Sequence, residues 1–209
     1  MDPQPKIDFR KTRKEFFSAS VDHFERVELP PVTYLMIDGK GPPVTSEAYR
    51  RALETLYPAA YGLKFRSKTV LGRDYVVPPL EGLWWAEDMS AFTSDRRDEW
   101  LWTMMIMVPE WIGPGEFRAS LAETARKKPA TDFAPVRMEV LAEGLCLQKL
   151  HIGSFADEGP VLRRLHHELM PREGLAFNGR HHEIYLSDIR RTEPAKLRTI
   201  LRQPVEAPA

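Results

Sequence analysis

The feature that most constrains the fold of this chain is an internal repeat. Residues 50–58, Arg-Arg-Ala-Leu-Glu-Thr-Leu-Tyr-Pro, resemble residues 163–171, Arg-Arg-Leu-His-His-Glu-Leu-Met-Pro, at an offset of 113 positions (163 − 50). After a one-residue deletion, residues 62–65 (Gly-Leu-Lys-Phe) align with residues 174–177 (Gly-Leu-Ala-Phe). A period of this length excludes an array of short repeats and favours a duplicated module.

Residue patterns predict a similar order of elements in the two halves, a strand followed by a helix and then by further strands. In the first half the predicted elements are a strand at 32–37, a helix from Ser46 to about Tyr57 that ends before Pro58, strands at 74–77, 80–87 and 99–108, and a helix at 116–127. In the second half they are a strand at 145–152, a helix at 161–170 after Pro160, a strand around Glu183, and a last segment at 196–203.

One helix per half covers only one face of a sheet, so each half needs a partner. The sequence therefore predicts an α+β fold, in which a duplicated βαββ module with pseudo-twofold symmetry forms antiparallel sheets that enclose a ligand cleft. Residues 1–20 are predicted to form an N-terminal arm. Residues 21–206 are predicted to form one domain, with repeats at about 27–110 and 136–206.

Composition excludes several classes of function. The chain has 30 basic and 30 acidic residues, so no net charge attracts it to nucleic acid or to an anionic membrane. No apolar run reaches the roughly 20 residues of a membrane span, and the N-terminus lacks the pattern of a signal peptide. The single cysteine, Cys146, lies between leucines and excludes an internal disulfide. We therefore expect a cytoplasmic protein that is a monomer or a weak dimer and binds neither nucleic acid directly nor membrane.

The most distinctive candidate site lies at Glu183. In the run Glu183-Ile184-Tyr185-Leu186, polar or amphipathic residues alternate with aliphatic ones, as in a half-buried strand. Glu183 and Tyr185 are therefore predicted to share one face. Burying an unpaired carboxylate is costly, so this face is either the solvent side of an edge strand or the wall of a pocket.

Aromatic side chains supply the other candidate contacts. All five tryptophans fall between Trp84 and Trp111. Matching Asp88 with Asp188 across the repeat sets Trp85 opposite Tyr185, so both are expected to face the same side of their sheets. Two interpretations remain open at this point: an aromatic cleft with Glu183 at its polar end, or tryptophan and methionine filling a core. The predicted ligand contacts, besides Glu183 and Tyr185, are Trp85, Trp100, Trp102, Met104, Tyr75 and Tyr34.

Other kinds of site find less support in the sequence. The pairs His166-His167 and His181-His182 have no cysteine or carboxylate at a recognised ligand spacing, so we expect no metal site. Adjacent histidines also project to different sides of a helix or strand. No glycine-rich phosphate loop occurs, so we expect no cofactor, and Ser154 and Ser187 lie in no nucleophile elbow.

Two blocks of the sequence resemble a known family. The run Pro79-Leu-Glu-Gly-Leu-Trp-Trp-Ala-Glu-Asp-Met89 with the run at 98–107, and the ending at 182–188 with 196–205, resemble the stand-alone branch of the GyrI-like small-molecule-binding superfamily. The resemblance covers about residues 20–206. It implies a duplicated βαββ module around a ligand cleft, with Glu183 as the pocket glutamate.

The resemblance also implies what such a cleft does. Relatives fused to helix-turn-helix domains sense lipophilic and often cationic aromatic drugs, whereas some stand-alone members hydrolyse activated cyclopropane rings of DNA-alkylating natural products. Since only the 20 residues of the predicted arm precede the domain, we do not expect a transcription factor.

Three functions follow as expectations. The first is binding of hydrophobic, aromatic and cationic small molecules. The alternative is hydrolysis of cyclopropane-bearing genotoxins, with Glu183 as general base and with Tyr185 or Tyr75 either orienting the water or donating to the departing enolate oxygen. The third is a non-catalytic protein-interaction module.

Overall fold

The computed structural model describes residues 5–43, 45–88, 91, 94 and 96–207. Residues 1–4 of the predicted arm, and Met89 at the end of the tryptophan-rich run, lie outside these ranges. The predicted α+β class is confirmed, with helices packed on antiparallel strands. The helices are α1 (Phe9–Thr12), α2 (Lys14–Phe17), α3 (Glu47–Val70), α4 (Pro114–Lys127), α5 (Glu158–Arg164) and α6 (Met170–Arg172). The strands are β1 (Glu25–Leu29), β2 (Val32–Lys40), β3 (Leu80–Trp85), β4 (Leu101–Met107), β5 (Arg137–Leu141), β6 (Gly144–Ile152), β7 (Ala176–Phe177), β8 (His181–Tyr185) and β9 (Arg198–Glu206).

The chain divides into two compact units. The first unit contains the chain up to Thr12 and Val32–Leu141, and the second contains Arg13–Pro31 and the chain from Ala142 onward. Strand β1 therefore belongs to the second unit, where it pairs with β6. In the first unit the antiparallel strands are ordered β3-β4-β2-β5, and in the second β1-β6-β9-β8, with β7 added to β9.

Helix α3 is longer than predicted. The predicted N-cap is present, since the Ser46 side chain accepts a hydrogen bond from the Tyr49 amide. The predicted end at Tyr57 is wrong, because the helix continues through Pro58 to Val70. A proline inside a helix costs one backbone hydrogen bond. Continued burial of the same apolar stripe beyond the proline, at Ala60 and Leu63, offsets that cost.

The predicted strand at 74–77 is reduced to a single bridge. Tyr75 pairs only with Ile7 of the N-terminal segment, and β3 begins at Leu80. The two prolines at 78 and 79 explain this, because proline has no amide hydrogen for a strand ladder.

The second unit carries its helix on one face of its sheet. Helix α5 begins at Glu158, before the predicted start, and passes through a π-helical turn (Leu165–Leu169) into α6. We call the continuous stretch 158–172 the covering helix. Leu165 and Met170 from this helix pack against Leu147 and Val205 of the sheet in one hydrophobic cluster.

No helix within the described ranges is both long enough and apolar enough to cross a membrane. The longest, α3, carries charged side chains along much of its exposed surface.

Candidate functional site

Glu183 and Tyr185 lie together on the face of β8 that the covering helix packs against. Glu183 pairs with Leu201 of β9 and Tyr185 pairs with Thr199, so these four side chains share one face. Gln203 lies on the same face and is paired with Leu147 of the hydrophobic cluster beneath the covering helix. The sequence prediction that Glu183 and Tyr185 share a face agrees with this register.

Glu183 is not an open surface residue. Its side chain keeps only 13% of its exposure, and its Oε2 accepts a hydrogen bond from the Tyr185 hydroxyl at 2.8 Å. The ring of Tyr185 packs edge-on against Phe155, with centroids 5.8 Å apart. The carboxylate is therefore held in place by a phenol that is itself fixed by aromatic packing. A hydrogen bond to an ionised group of this kind stabilises the charge.

A second carboxyl group lies beside Glu183. Glu158, the first residue of α5, is only 5% exposed, and the Thr199 side chain is hydrogen-bonded to it. Burial, and next the charge of Glu183, raise the pKa of Glu158 to about 10. At neutral pH the face therefore holds a neutral carboxylic acid beside Glu183. Sequence reasoning missed Glu158 because it placed the helix start at Val161, three residues after it (161 − 158).

Two histidines extend this group of polar side chains. His181 Nε2 lies 3.6 Å from Glu183 Oε1, and the His181 ring is 6.3 Å from that of His166 in the π-helical turn. Burial, followed by the nearby His181 and His167, lowers the pKa of His166 to about 4. Across the described ranges, no three or more histidine, cysteine or acidic side chains are grouped closely enough to hold a metal ion.

The opposite face of the same sheet carries a buried polar network. His182 Nδ1 lies 2.9 Å from Glu143 Oε1, and Arg202 contacts Glu143 Oε2 at 3.4 Å. Arg202 also donates to Gln148 Oε1 and to the Phe16 carbonyl. Burial opposes ionisation of Glu143, but His182 and Arg202 together lower its pKa below the usual value. This network ties β6, β9 and the segment at 13–31 together and is structural.

In the first unit, the predicted aromatic contacts divide between the two faces of the sheet. Trp102 and Met104 are fully buried and share a face with Trp84. The Trp102 ring packs edge-on against Tyr49 of α3 at 5.5 Å. Trp102 and Met104 therefore form part of the core beneath α3, the second of the two interpretations left open by the sequence.

The expectation that Trp85 and Tyr185 face corresponding sides of their sheets is wrong. Trp85 pairs with Leu101, so it points to the face away from α3, whereas Tyr185 points toward the covering helix. The alignment on Asp88 and Asp188 was displaced by one residue, which inverts every side chain of a strand. Trp85 and Trp100 are half-buried, and Trp100 packs edge-on against Trp84 at 6.2 Å.

The two predicted tyrosines of the first unit have separate partners. The Tyr34 hydroxyl donates to Oε2 of Glu81, a fully buried carboxyl that sequence reasoning missed, at 3.2 Å. Tyr75 packs against Phe9 and Trp111, and burial raises its pKa above the usual value. Tyr75 thus belongs to the aromatic cluster that attaches the N-terminal segment to the first unit.

A surface depression of about 470 Å³ lies elsewhere in the second unit, beside β1. It is lined by residues such as Pro30, Gly144 and Asn178 and includes neither Glu183 nor Glu158. Glu28 and Glu143 also line this depression, but Glu143 is engaged with His182 and Arg202. We therefore place the candidate chemistry at Glu183 and Glu158.

The sequence matches the model of the GyrI-like small molecule binding domain over residues 23–206. No curated protein matches the chain. Among solved structures, an uncharacterised conserved protein from Listeria innocua is 39% identical, with a TM-score of 0.88 over 96% of this chain and 100% of that one. Two structures of hydrolases from Listeria innocua are each 38% identical, with TM-scores of 0.86 and 0.82, over 97% and 96% of this chain and all of theirs. The resemblance seen in the sequence is confirmed, and the chain belongs to the GyrI-like small-molecule-binding family.

Proposed function

We propose that this protein is a hydrolase of lipophilic, aromatic small molecules and that Glu183 is its general base. The observation that carries the proposal is the Glu183 carboxylate, largely removed from solvent and held by the Tyr185 hydroxyl. Membership of a small-molecule-binding family, and relatives of 38% identity that are hydrolases, support it. A fixed carboxylate within reach of one water molecule is what base catalysis of hydrolysis needs.

The substrate class that we propose is an aromatic compound with a cyclopropane ring conjugated to a carbonyl group. Glu183 takes a proton from water, and the water oxygen bonds to a ring carbon. The carbon–carbon bond breaks, its electron pair moves into the conjugated carbonyl, and the resulting oxyanion takes up a proton. Base catalysis contributes about 10²–10⁴-fold to such a step. The ring strain of the substrate supplies the remaining driving force.

Aromatic side chains are our candidates for holding the ligand. Phe155 and Tyr185 lie beside the carboxylate in the second unit. In the first unit, Trp85 and Trp100 keep part of their surface exposed, and each stays a proposed aromatic contact within that unit. Trp102, Met104, Tyr34 and Tyr75 are buried against protein neighbours, so we assign them a supporting role.

A second candidate function is binding without turnover. The same arrangement of a carboxylate next to the rings of Tyr185 and Phe155 suits a cationic aromatic ligand. A cation over an aromatic face gains about 0.5–2 kcal/mol, and the carboxylate adds opposite charge.

The experiment compares wild type with Glu183→Gln on a cyclopropane-containing alkylating compound, with ring-opened, water-added product measured by mass spectrometry. We expect the variant to be slower by roughly 10²-fold or more. Glu168→Gln is the matched control, because Glu168 is an exposed glutamate of the covering helix. Equal product from wild type and Glu183→Gln would rule out the general-base role. Turnover by neither, with saturable quenching of tryptophan fluorescence by cationic dyes, would favour binding alone.

A further inference from the structure

The base proposed above has a neighbour of the same chemical type that the family resemblance did not indicate. Glu158 and Glu183 reach the same small region from different elements, the start of α5 and the middle of β8. Thr199, which is hydrogen-bonded to Glu158, is directly paired across the strands with Tyr185, which donates to Glu183. Each of the two carboxyl groups therefore has a hydroxyl partner, and both hydroxyl groups lie on the same face of the sheet.

The environments of the two carboxyl groups differ. Glu183 keeps some exposure, and its Oε2 accepts a hydrogen bond from the Tyr185 hydroxyl. Glu158 is more deeply buried, and its Oε1 has no hydrogen-bond partner among the described residues. An unpartnered oxygen is far less costly on a neutral carboxyl than on a carboxylate. Two neighbouring carboxylates repel each other, so such a pair shares one proton, and here the deeper burial and the unpartnered oxygen assign it to Glu158.

Other charged groups around Glu158 are engaged elsewhere. Asp157 accepts a hydrogen bond from the Ser154 hydroxyl, and His181 lies beside Glu183 rather than Glu158. On the same face of β6, the Lys149 ammonium donates to the Asp22 carbonyl, and His151 contacts the Ser154 carbonyl. The charge that acts on Glu158 is therefore that of Glu183. Burial, and next this charge, raise the pKa of Glu158 to about 10.

We propose that Glu158 is the general acid of this site and forms an acid–base pair with Glu183. The inference rests on the proposed hydrolase function and extends it by naming the proton donor. It assigns the two glutamates opposite roles on structural grounds, since the more deeply buried carboxyl keeps the proton and the phenol-bound one gives it up.

The proton balance of the pair is closed. Glu183 takes one proton from the attacking water, while Glu158 gives its proton to the substrate oxygen that receives the electron pair. The product has then gained the elements of one water molecule, with a hydroxyl group on carbon and a hydrogen on oxygen. Glu183 is now protonated and Glu158 ionised, and transfer of one proton from Glu183 to Glu158 restores the starting state. No other reactant is needed.

The kinetic test uses Glu158→Gln, which keeps the size and polarity of the side chain but cannot transfer a proton. We expect its kcat to fall by ~10²-fold or more, with dye binding unchanged. Wild-type activity should decline as the pH rises through about 10, where Glu158 loses its proton. Residual activity of Glu158→Gln should lack this decline. A variant with wild-type kcat and the same alkaline decline would overturn the inference.

Thr199→Val provides a second variant that leaves both glutamates in place. The hydrogen bond from Thr199 lowers the pKa of Glu158, so its loss should move the alkaline decline to higher pH. A purely structural role for Glu158 predicts no such displacement. This variant keeps the inference testable if Glu158→Gln does not fold.

An infrared measurement separates failure of the inference from failure of the proposed function. Wild type at neutral pH should show the carbonyl stretch of a protonated carboxyl group that is missing in Glu158→Gln and retained in Glu168→Gln. If that band is absent from wild type, Glu158 is not the proton carrier and the inference is wrong. If the band is present but no compound is hydrolysed, the proposed hydrolase function is wrong, and so is the role of Glu158 as general acid. The band would still show that the pair of glutamates holds one proton at neutral pH. If hydrolysis depends on Glu183 but not on Glu158, only the inference fails.

Discussion

At the scale of single residues, protonation follows local environment rather than residue type. Glu183 and Glu158 carry identical side chains on the same face of the second unit. Glu183 receives a hydrogen bond from Tyr185, whereas Glu158 is buried with one oxygen unpartnered among the described residues. The consequence is that one carboxyl is suited to accept a proton and the other to donate one. The catalytic proposal depends on this difference.

Tyr185→Phe tests the hydrogen bond that holds Glu183. The substitution keeps the ring that packs on Phe155 but removes the hydroxyl group. A hydrogen bond to a charged group is worth about 1.5–3 kcal/mol, so we expect kcat to fall roughly 10–100-fold. Steady-state kinetics measures this. Tyr61→Phe, at an exposed position of α3, is the control and should behave as wild type. Unchanged kcat in Tyr185→Phe would show that the phenol does not support the base.

At the scale of elements, the two long helices are held by different means. The covering helix packs on its sheet through a small cluster around Leu165 and changes to π-helical geometry for one turn. A π-helical turn displaces the following side chains around the helix axis, and such turns often occur at functional sites. Here the turn carries His166 beneath the helix, next to His181. Helix α3, in contrast, is packed against α4 through very small side chains.

Gly62→Ala tests the contact between α3 and α4. A methyl group at this position would lie against the Thr124 hydroxyl and within 3.1 Å of Ser120 Oγ. Overpacking costs about 1–3 kcal/mol, whereas replacing a helical glycine with alanine gains up to about 1 kcal/mol. We expect a net loss of about 1 kcal/mol in the free energy of unfolding, measured with urea.

The matched control for that contact is Gly115→Ala in α4. No heavy atom lies within 4 Å of the added methyl group, so this variant should be as stable as wild type or more stable. If both variants were equally stable, the helices would not be in close contact at Gly62. Adding Thr124→Ala to Gly62→Ala should recover most of the lost stability, because it removes the group that the new methyl meets.

How well the sequence predicts these elements depends on whether a pattern reflects local backbone geometry or contacts that form only in the folded chain. The alternation that placed Glu183 and Tyr185 on one face depends only on strand geometry, and it agrees with the structure. The helix end at Pro58 was wrong because a local breaker was outweighed by burial of the apolar stripe beyond it. The start of α5 was misplaced at Val161, after Pro160, and an acidic residue at a helix start has an ordinary explanation in the helix dipole. Glu158 therefore gave no signal until the fold placed it beside Glu183.

The aromatic candidates show a different limit. A sequence pattern can show that Trp102 and Met104 share a face, but it does not indicate which face a helix covers. Here α3 covers it, so these side chains form core. The alignment of Trp85 with Tyr185 failed because matching loop residues across a repeat fixes strand register only to within a residue or two. One residue is enough to invert a strand.

At the scale of the whole molecule, the buried acid should control stability above neutral pH. The folded chain keeps a proton on Glu158 up to about pH 10, while the unfolded chain releases it near pH 4.5. Unfolding between these values therefore releases one proton, and the free energy of unfolding should fall as the pH rises, by up to about 1.4 kcal/mol per pH unit. Urea denaturation from pH 7 to 8.5 measures the slope.

Glu158→Gln should remove this slope and raise stability at neutral pH, because the amide has no proton to lose. An equal slope in the two proteins would show that Glu158 is ionised in the fold. Below pH 6.5 His166 contributes a slope of the opposite sign, which cancels the slope from Glu158 down to about pH 4.5. Since the pKa of His166 is lowered to about 4, the unfolded chain takes up the proton first, and this contribution to stability falls as the pH falls toward 4.

The pairing of β1 with β6 has a consequence for synthesis on the ribosome. Leu29 of β1 pairs with Gly144 of β6, 115 positions later (144 − 29). At ~5–20 residues per second, the nascent strand waits roughly 6–23 seconds for its partner to be translated. During that interval the first unit can complete its sheet, while β1 exposes unpaired backbone groups. We expect the earliest strand to leave the ribosome to be among the last to find its place.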